Sequence, residues 1–175
     1  AHYWTYLSVA ARKQGRAAEG ENLARQALNL DQKHGMYWFN LAEALFAQQR
    51  SAEAREAYRQ AVTCDPQDAA AWQALASLEH EAGHLDAAQE AYERSLSAAP
   101  GGQASIGYAH LLSERGQAEQ AIEVLTSFLK QVPNSAIGWM VLANISQRAG
   151  NAQQAEAACR NALSLAPQLR EARQQ

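Results

Sequence analysis

The chain keeps a period. Trp4, Trp38 and Trp72 are spaced 34 residues apart, Trp139 follows 67 residues later, and the four prolines, Pro66, Pro100, Pro133 and Pro167, are separated by 34, 33 and 34. Two unrelated residue types that report one period argue against a single irregular core. They point to an array of like units, each packed on its neighbours. One residue is missing from the register between Pro100 and Ser105.

Within a unit the apolar residues follow helical spacing. Trp38, Leu41, Ala42 and Leu45 fall on one face, and Ala54, Ala57, Tyr58 and Ala61 on another after a break at Gln49-Arg50. In the other units the break carries Gly15, Gly83, Gly116 or Gly150, a residue that takes positive φ and ends a helix tightly. The second run of each unit stops before a proline, which restricts its predecessor and does not continue a helix; Asp31-Gln32 marks the same junction in the first unit. Each unit is therefore expected to be a helical hairpin. The composition agrees: 47% apolar residues is enough for a core, and ten Gly with four Pro is too few for a linker-rich chain. Five units result, 1–34, 35–68, 69–101, 102–135 and 136–169. Residues 170–175 are read as the start of a capping helix or of a truncated sixth unit, the second being favoured.

These units resemble tetratricopeptide repeats (TPR), whose pattern places Trp, Leu, Gly and Tyr on the first helix and Ala, an aromatic, Ala and Pro on the second. The second unit carries Trp38, Leu41, Ala42, Leu45, Ala54, Tyr58, Ala61 and Pro66 in those places. The third carries Trp72, Leu75, Ala76, Ala88, Tyr92, Ser95 and Pro100, and the fifth Trp139, Leu142, Ala143, Gly150, Ala155, Ala162 and Pro167. The resemblance covers nearly the whole chain and implies an all-α fold, a right-handed α-solenoid of five helix-turn-helix repeats. Two units depart from the pattern. The first has Gly20 and Ala24 where the family usually has Ala and an aromatic, so its second helix is expected to pack thinly. The fourth has Ser105 in the Trp position and Gly107 inside its first helix, which makes it the expected weak point of the array.

The resemblance further implies that the first helices line a concave groove that binds a peptide or a partner protein. The face opposite the Trp38/Leu41/Leu45 stripe carries Met36, Phe39, Asn40, Glu43 and Phe46. By the same geometry the first unit presents Tyr6, Val9, Arg12 and Lys13, the fourth Ile106 and His110, and the fifth Ile137, Met140, Val141 and Asn144. These are the candidate partner-binding residues. Apolar groups cluster near the start, at Tyr6, Val9, Met36, Phe39 and Phe46, and again at Ile106, Ile137, Met140 and Val141. The Lys/Asn clamp with which chaperone-binding members of the family hold a terminal carboxylate does not fit. Thr5, Val9, Ala70 and Ala74 stand where Lys, Asn and basic residues are wanted, and Asn40 alone matches.

Other function classes are disfavoured. The formal charge of −3 gives no general attraction to nucleic acid or anionic lipid, although the third unit, at −4, is the most acidic stretch. No apolar run approaches the ~20 residues of a membrane span, so no direct membrane insertion is expected. Cys64 and Cys159 stand in no metal-ligand spacing, and both are expected to be buried thiols. His80-Glu81-Ala82-Gly83-His84 fits the H-E-x-x-H zinc-protease pattern. That chemistry needs both imidazoles on one continuous helix, and Gly83 stands at an inter-helix turn, so a metal site, even with His110 near His80, is a remote alternative. There is no Gly-rich phosphate loop, no G-x-S-x-G and no Cys paired with a motif His. No catalytic residue, metal or cofactor is assigned, and the chain is read as non-enzymatic.

The first expectation is a non-catalytic interaction scaffold with a peptide or protein ligand. The alternative is a scaffolding segment of a larger bacterial secretion or polysaccharide-export protein or glycosyltransferase, with self-association through the repeat ends. The first residue is not Met, which reads as a piece of something longer. The excess of Arg over Lys, with abundant Ala, points to a GC-rich bacterial source, and both cytoplasm and periplasm remain open as compartments.

Overall fold

The computed structural model describes residues 2–165, and these contain ten helices and no strand. They alternate as hairpins: α1 (His2–Lys13) with α2 (Ala17–Leu30), α3 (Gly35–Ala47) with α4 (Ser51–Cys64), α5 (Ala69–Glu81) with α6 (Leu85–Ala98), α7 (Ala104–Glu114) with α8 (Ala118–Gln131), and α9 (Ala136–Arg148) with α10 (Ala152–Leu165). The fold is all-α, as the periodicity requires. The chain divides into two compact units, Ala1–Ala98 with α1 to α6 and Ala99–Gln175 with α7 to α10. Pro167 and the segment 170–175 lie outside the described residues.

Local chemistry sets the helix ends. α4, α6 and α8 each stop two residues before a proline, where the pre-proline residue is driven out of the helical region. Gly15, Gly83, Gly116 and Gly150 close the inter-helix turns with φ of 77–80°. In the second repeat Gln49 does the same work at φ 61°, as the one non-glycine residue of positive φ among those described. The first helices begin on side-chain caps where a capping residue is present. Asp68 accepts from the amides of Ala70 and Ala71 at 3.0 Å, and Ser135 from Gly138 at 3.1 Å.

The periodic tryptophans have a second role besides packing. The indole N–H of Trp38 donates to the Gln32 carbonyl at 2.8 Å, that of Trp72 to Pro66 at 2.9 Å, and that of Trp139 to Pro133 at 2.8 Å. Each Trp thus satisfies a carbonyl of the preceding inter-repeat turn, six residues upstream, where the helix has ended. This bond ties the Trp period to the Pro period.

The core of the first unit is built largely from alanine, which allows close helix contact. Ala42, Ala54, Ala76 and Ala88 have no exposed surface, and Tyr58 and Tyr92 fill the space that remains. Gly20 corrects the expectation that α2 packs thinly. A methyl at Gly20 would stand 3.1 Å from the Ser8 carbonyl oxygen, and the Ser8 hydroxyl donates to the Gly20 carbonyl at 2.7 Å. The helices approach closely because nothing intervenes. In the second unit larger side chains, including Leu112, Leu125, Phe128, Leu129 and Ile145, form one buried cluster. The cysteines also depart from expectation: Cys159 is exposed and Cys64 half-buried. Both lie on second helices, at positions that the neighbouring helices leave partly uncovered.

Candidate protein-binding surface

In the first unit α1 and α3 are joined by a buried-to-exposed polar chain. Arg12 pairs with Glu43 at 2.7 Å, and the hydroxyl of buried Tyr58 donates to the other oxygen of Glu43 at 2.6 Å. Burial first, and the adjacent Glu43 carboxylate second, hold the Tyr58 phenol far above its ordinary pKa, so it stays a donor. The ring of Phe39 meets the Tyr58 ring edge-on, with centroids 5.6 Å apart. Arg12, Phe39 and Glu43 are thereby brought together, but as parts of one internal network.

The other candidates of this unit divide into two kinds. Tyr6, at 77% exposure, and Met36 and Phe46, each at 47%, present apolar surface to solvent. Lys13 is exposed and Val9 half-buried. Asn40 is turned inward: it is buried, and its amide donates to the Met36 carbonyl of its own helix at 2.8 Å. A cavity of about 250 Å³ opens between α3 and α5, lined by Glu43, Phe46, Tyr58, Ala74, Ser77, Leu78 and Glu81.

In the second unit Ile137 and Met140 are exposed, and so are His110 and Asn144. Ile106 and Val141 are half-buried and pack against the apolar cluster beneath them. Met140 and Asn144 line a second cavity, of about 280 Å³, with Ala143, Gln147, Cys159, Ala162 and Leu163.

The H-E-x-x-H run does not form the geometry that its pattern would need. His80 lies in the last turn of α5, Gly83 turns the backbone at φ 79°, and His84 lies beyond the helix with its Nδ1 2.7 Å from Glu79. Glu79 is 2% exposed and also receives Arg59 at 2.6 Å, so it works as a buried tie between α4 and α5. Among the described residues no three His, Cys, Asp or Glu side chains are grouped to hold a metal ion, and no helix is long and apolar enough to cross a membrane.

Models of the tetratricopeptide repeat match residues 7–69, 57–90, 79–145 and 136–169, and together they span all five hairpins. This chain belongs to the tetratricopeptide repeat family. No curated protein matches its sequence. Solved TPR structures are similar in fold. A crystal structure of MamA aligns with a TM-score of 0.82 at 16% identity, covering 94% of this chain and 90% of that one. MamA from Desulfovibrio magneticus RS-1, residue 41 to its end, gives 0.81 at 14%, covering 94% and 93%. YrrB, described as a TPR protein with an unusual peptide-binding site, gives 0.77 at 13%, covering 94% and 85%.

Sequence reasoning missed two kinds of residue that organise these TPR surfaces. The buried carboxylates Glu21 and Glu79 each bridge consecutive repeats: Glu21 accepts from Gln48 at 2.7 Å and Arg50 at 2.8 Å, and also pairs with Arg25. Nothing in a linear pattern separates them from solvated acids. Tyr58 was legible as a packing residue, but its hydroxyl, reaching the groove residue Glu43, was not. The signal for the Trp bond was present, in the constant offset of six between Pro66 and Trp72 and between Pro133 and Trp139.

Proposed function

We propose that this TPR chain is a non-catalytic interaction scaffold that holds an extended peptide, or a helix of a partner protein, against its first helices. The observation that carries the reading is the exposure of Tyr6, Met36 and Phe46 on α1 and α3, helices whose other faces are packed on their neighbours. Large apolar side chains left in solvent on such a face supply contact area to a partner, and methionine adapts to an irregular one. The fixed polar group Glu43, braced by Arg12 and Tyr58, would set register with little loss of freedom on binding. The peptide-binding site described for YrrB is in keeping with this use of the fold.

The test is a crosslinking pull-down from the native source, comparing the wild type with Tyr6→Ser/Met36→Ala by mass spectrometry. Both side chains are exposed, so the helical circular dichroism should not change. A partner lost with the double variant supports the groove; an unchanged partner set moves the function elsewhere on the chain.

Exposed Ile137 and Met140 favour a second reading, in which the chain is an assembly segment of a larger secretion or export protein or glycosyltransferase. Under that reading Tyr6→Ser/Met36→Ala is nearly silent, and Ile137→Ser/Met140→Ser removes association.

A further inference from the structure

The cavity between α3 and α5 constrains the partner more narrowly than the exposed apolar groups do, and its assignment rests on the first helices being the binding face. At about 250 Å³ it falls below the ~300–1,000 Å³ of sites for drug-sized ligands and suits a single side chain. Its ionisable lining is acidic: Glu43 stands on α3 and Glu81 on α5, and no Lys or Arg lines it. Phe46, about half of whose surface is open, supplies an aromatic wall.

The two carboxylates are held differently. Each oxygen of Glu43 already accepts one bond, from the Tyr58 hydroxyl and from Arg12. An ionised carboxylate offers about four lone-pair sites, so Glu43 is fixed in place and still open to a further donor. Arg12 offsets part of its charge from the α1 side. Glu81 is exposed and has no ion-pair partner among the described residues, so it leaves a net negative charge at the rim. The repeats that contribute these groups are the two most acidic of the chain, which adds attraction over longer range.

We propose that this cavity receives an arginine side chain of the bound partner, its guanidinium stacked on Phe46 and donating to Glu43 and Glu81. A planar, delocalised cation meets both demands of the site. It lies on an aromatic face and forks its N–H groups onto carboxylates, whereas the lysine ammonium is a strongly hydrated point charge. Arginine is therefore preferred to lysine here, and a neutral side chain of similar length is rejected.

The experiment uses the full chain and a phage-displayed random dodecapeptide library. The strongest binder is then synthesised and titrated calorimetrically against the wild type, Glu81→Gln and Phe46→Leu, with its arginine intact and replaced by citrulline. The expected result is an arginine shared among binders, a weakening of about tenfold with citrulline, and loss of that difference in Glu81→Gln. Both substituted residues are exposed, and unchanged circular dichroism confirms the fold. Binders without arginine that nevertheless fail on Tyr6→Ser/Met36→Ala overturn this proposal and leave the groove reading standing. An arginine effect that survives Glu81→Gln undiminished also overturns it. A library that yields no binder overturns both.

Discussion

Glu21 shows how one side chain can be decisive without any sequence signature. Its carboxylate is buried, which opposes ionisation, yet the Gln48 amide, the Arg50 guanidinium and Arg25 together outweigh that cost and hold its pKa below the ordinary carboxylate value. A group whose pKa is lowered by folding adds stability above its unfolded pKa, and that stability is lost as pH falls through the folded pKa. Glu21→Gln should therefore lower stability at neutral pH and flatten its dependence on pH below the ordinary glutamate pKa. Urea denaturation at pH 7 and at pH 3.5 measures both effects. A variant that loses as much at pH 3.5 as at pH 7 would contradict the account. Glu43 differs in that Arg12 and Tyr58 brace a carboxylate that remains partly open to solvent, which suits it to contact.

At the scale of the element, the inter-helix turns explain both the regularity of the array and its one irregular joint. Four hairpins turn on glycine, while the α3–α4 hairpin turns on Gln49 at φ 61°. A side chain in that left-handed region costs roughly 1–2 kcal/mol relative to ordinary backbone, and glycine avoids the cost. Gln49→Gly is expected to stabilise the chain by about 1 kcal/mol, partly offset by the greater freedom of the unfolded chain. An upward shift of the thermal midpoint checks this, and a fall would show that Gln49 makes contacts that compensate. The sequence made the existence and order of the helices legible because Pro, Gly and the 3–4 spacing of apolar residues act through the local backbone. It misled at Gly20, where the missing side chain was read as thin packing. In the folded chain that absence is what brings α1 and α2 together.

For the whole molecule, the division into two compact units bears on how the chain folds. The first unit holds three complete hairpins with an alanine-lined core, the second two hairpins around larger aliphatic groups. Stability in repeat arrays is shared between neighbours, a stable stack needs about three repeats or more, and the first unit meets that number. Residues 1–98 expressed alone should fold, retaining helical circular dichroism and a cooperative denaturation transition. A fragment that remains unfolded would show that α7–α10 supply stability the first unit lacks.

The sequence by itself determined the period, the hairpins, their junctions and the family, because each depends on residues within a few positions of one another and on a pattern repeated along the chain. It also placed Tyr6, Met36 and Phe46 on faces that the structure leaves exposed. Tertiary structure decided what the polar groups on those faces do. It turned Asn40 into its own helix, set Arg12 against Glu43 across 31 positions of sequence, and brought the Tyr58 hydroxyl to the same carboxylate across 15. Those bonds depend on the distance between packed helices to within a fraction of an ångström, and helical periodicity assigns a residue to a face without fixing that distance.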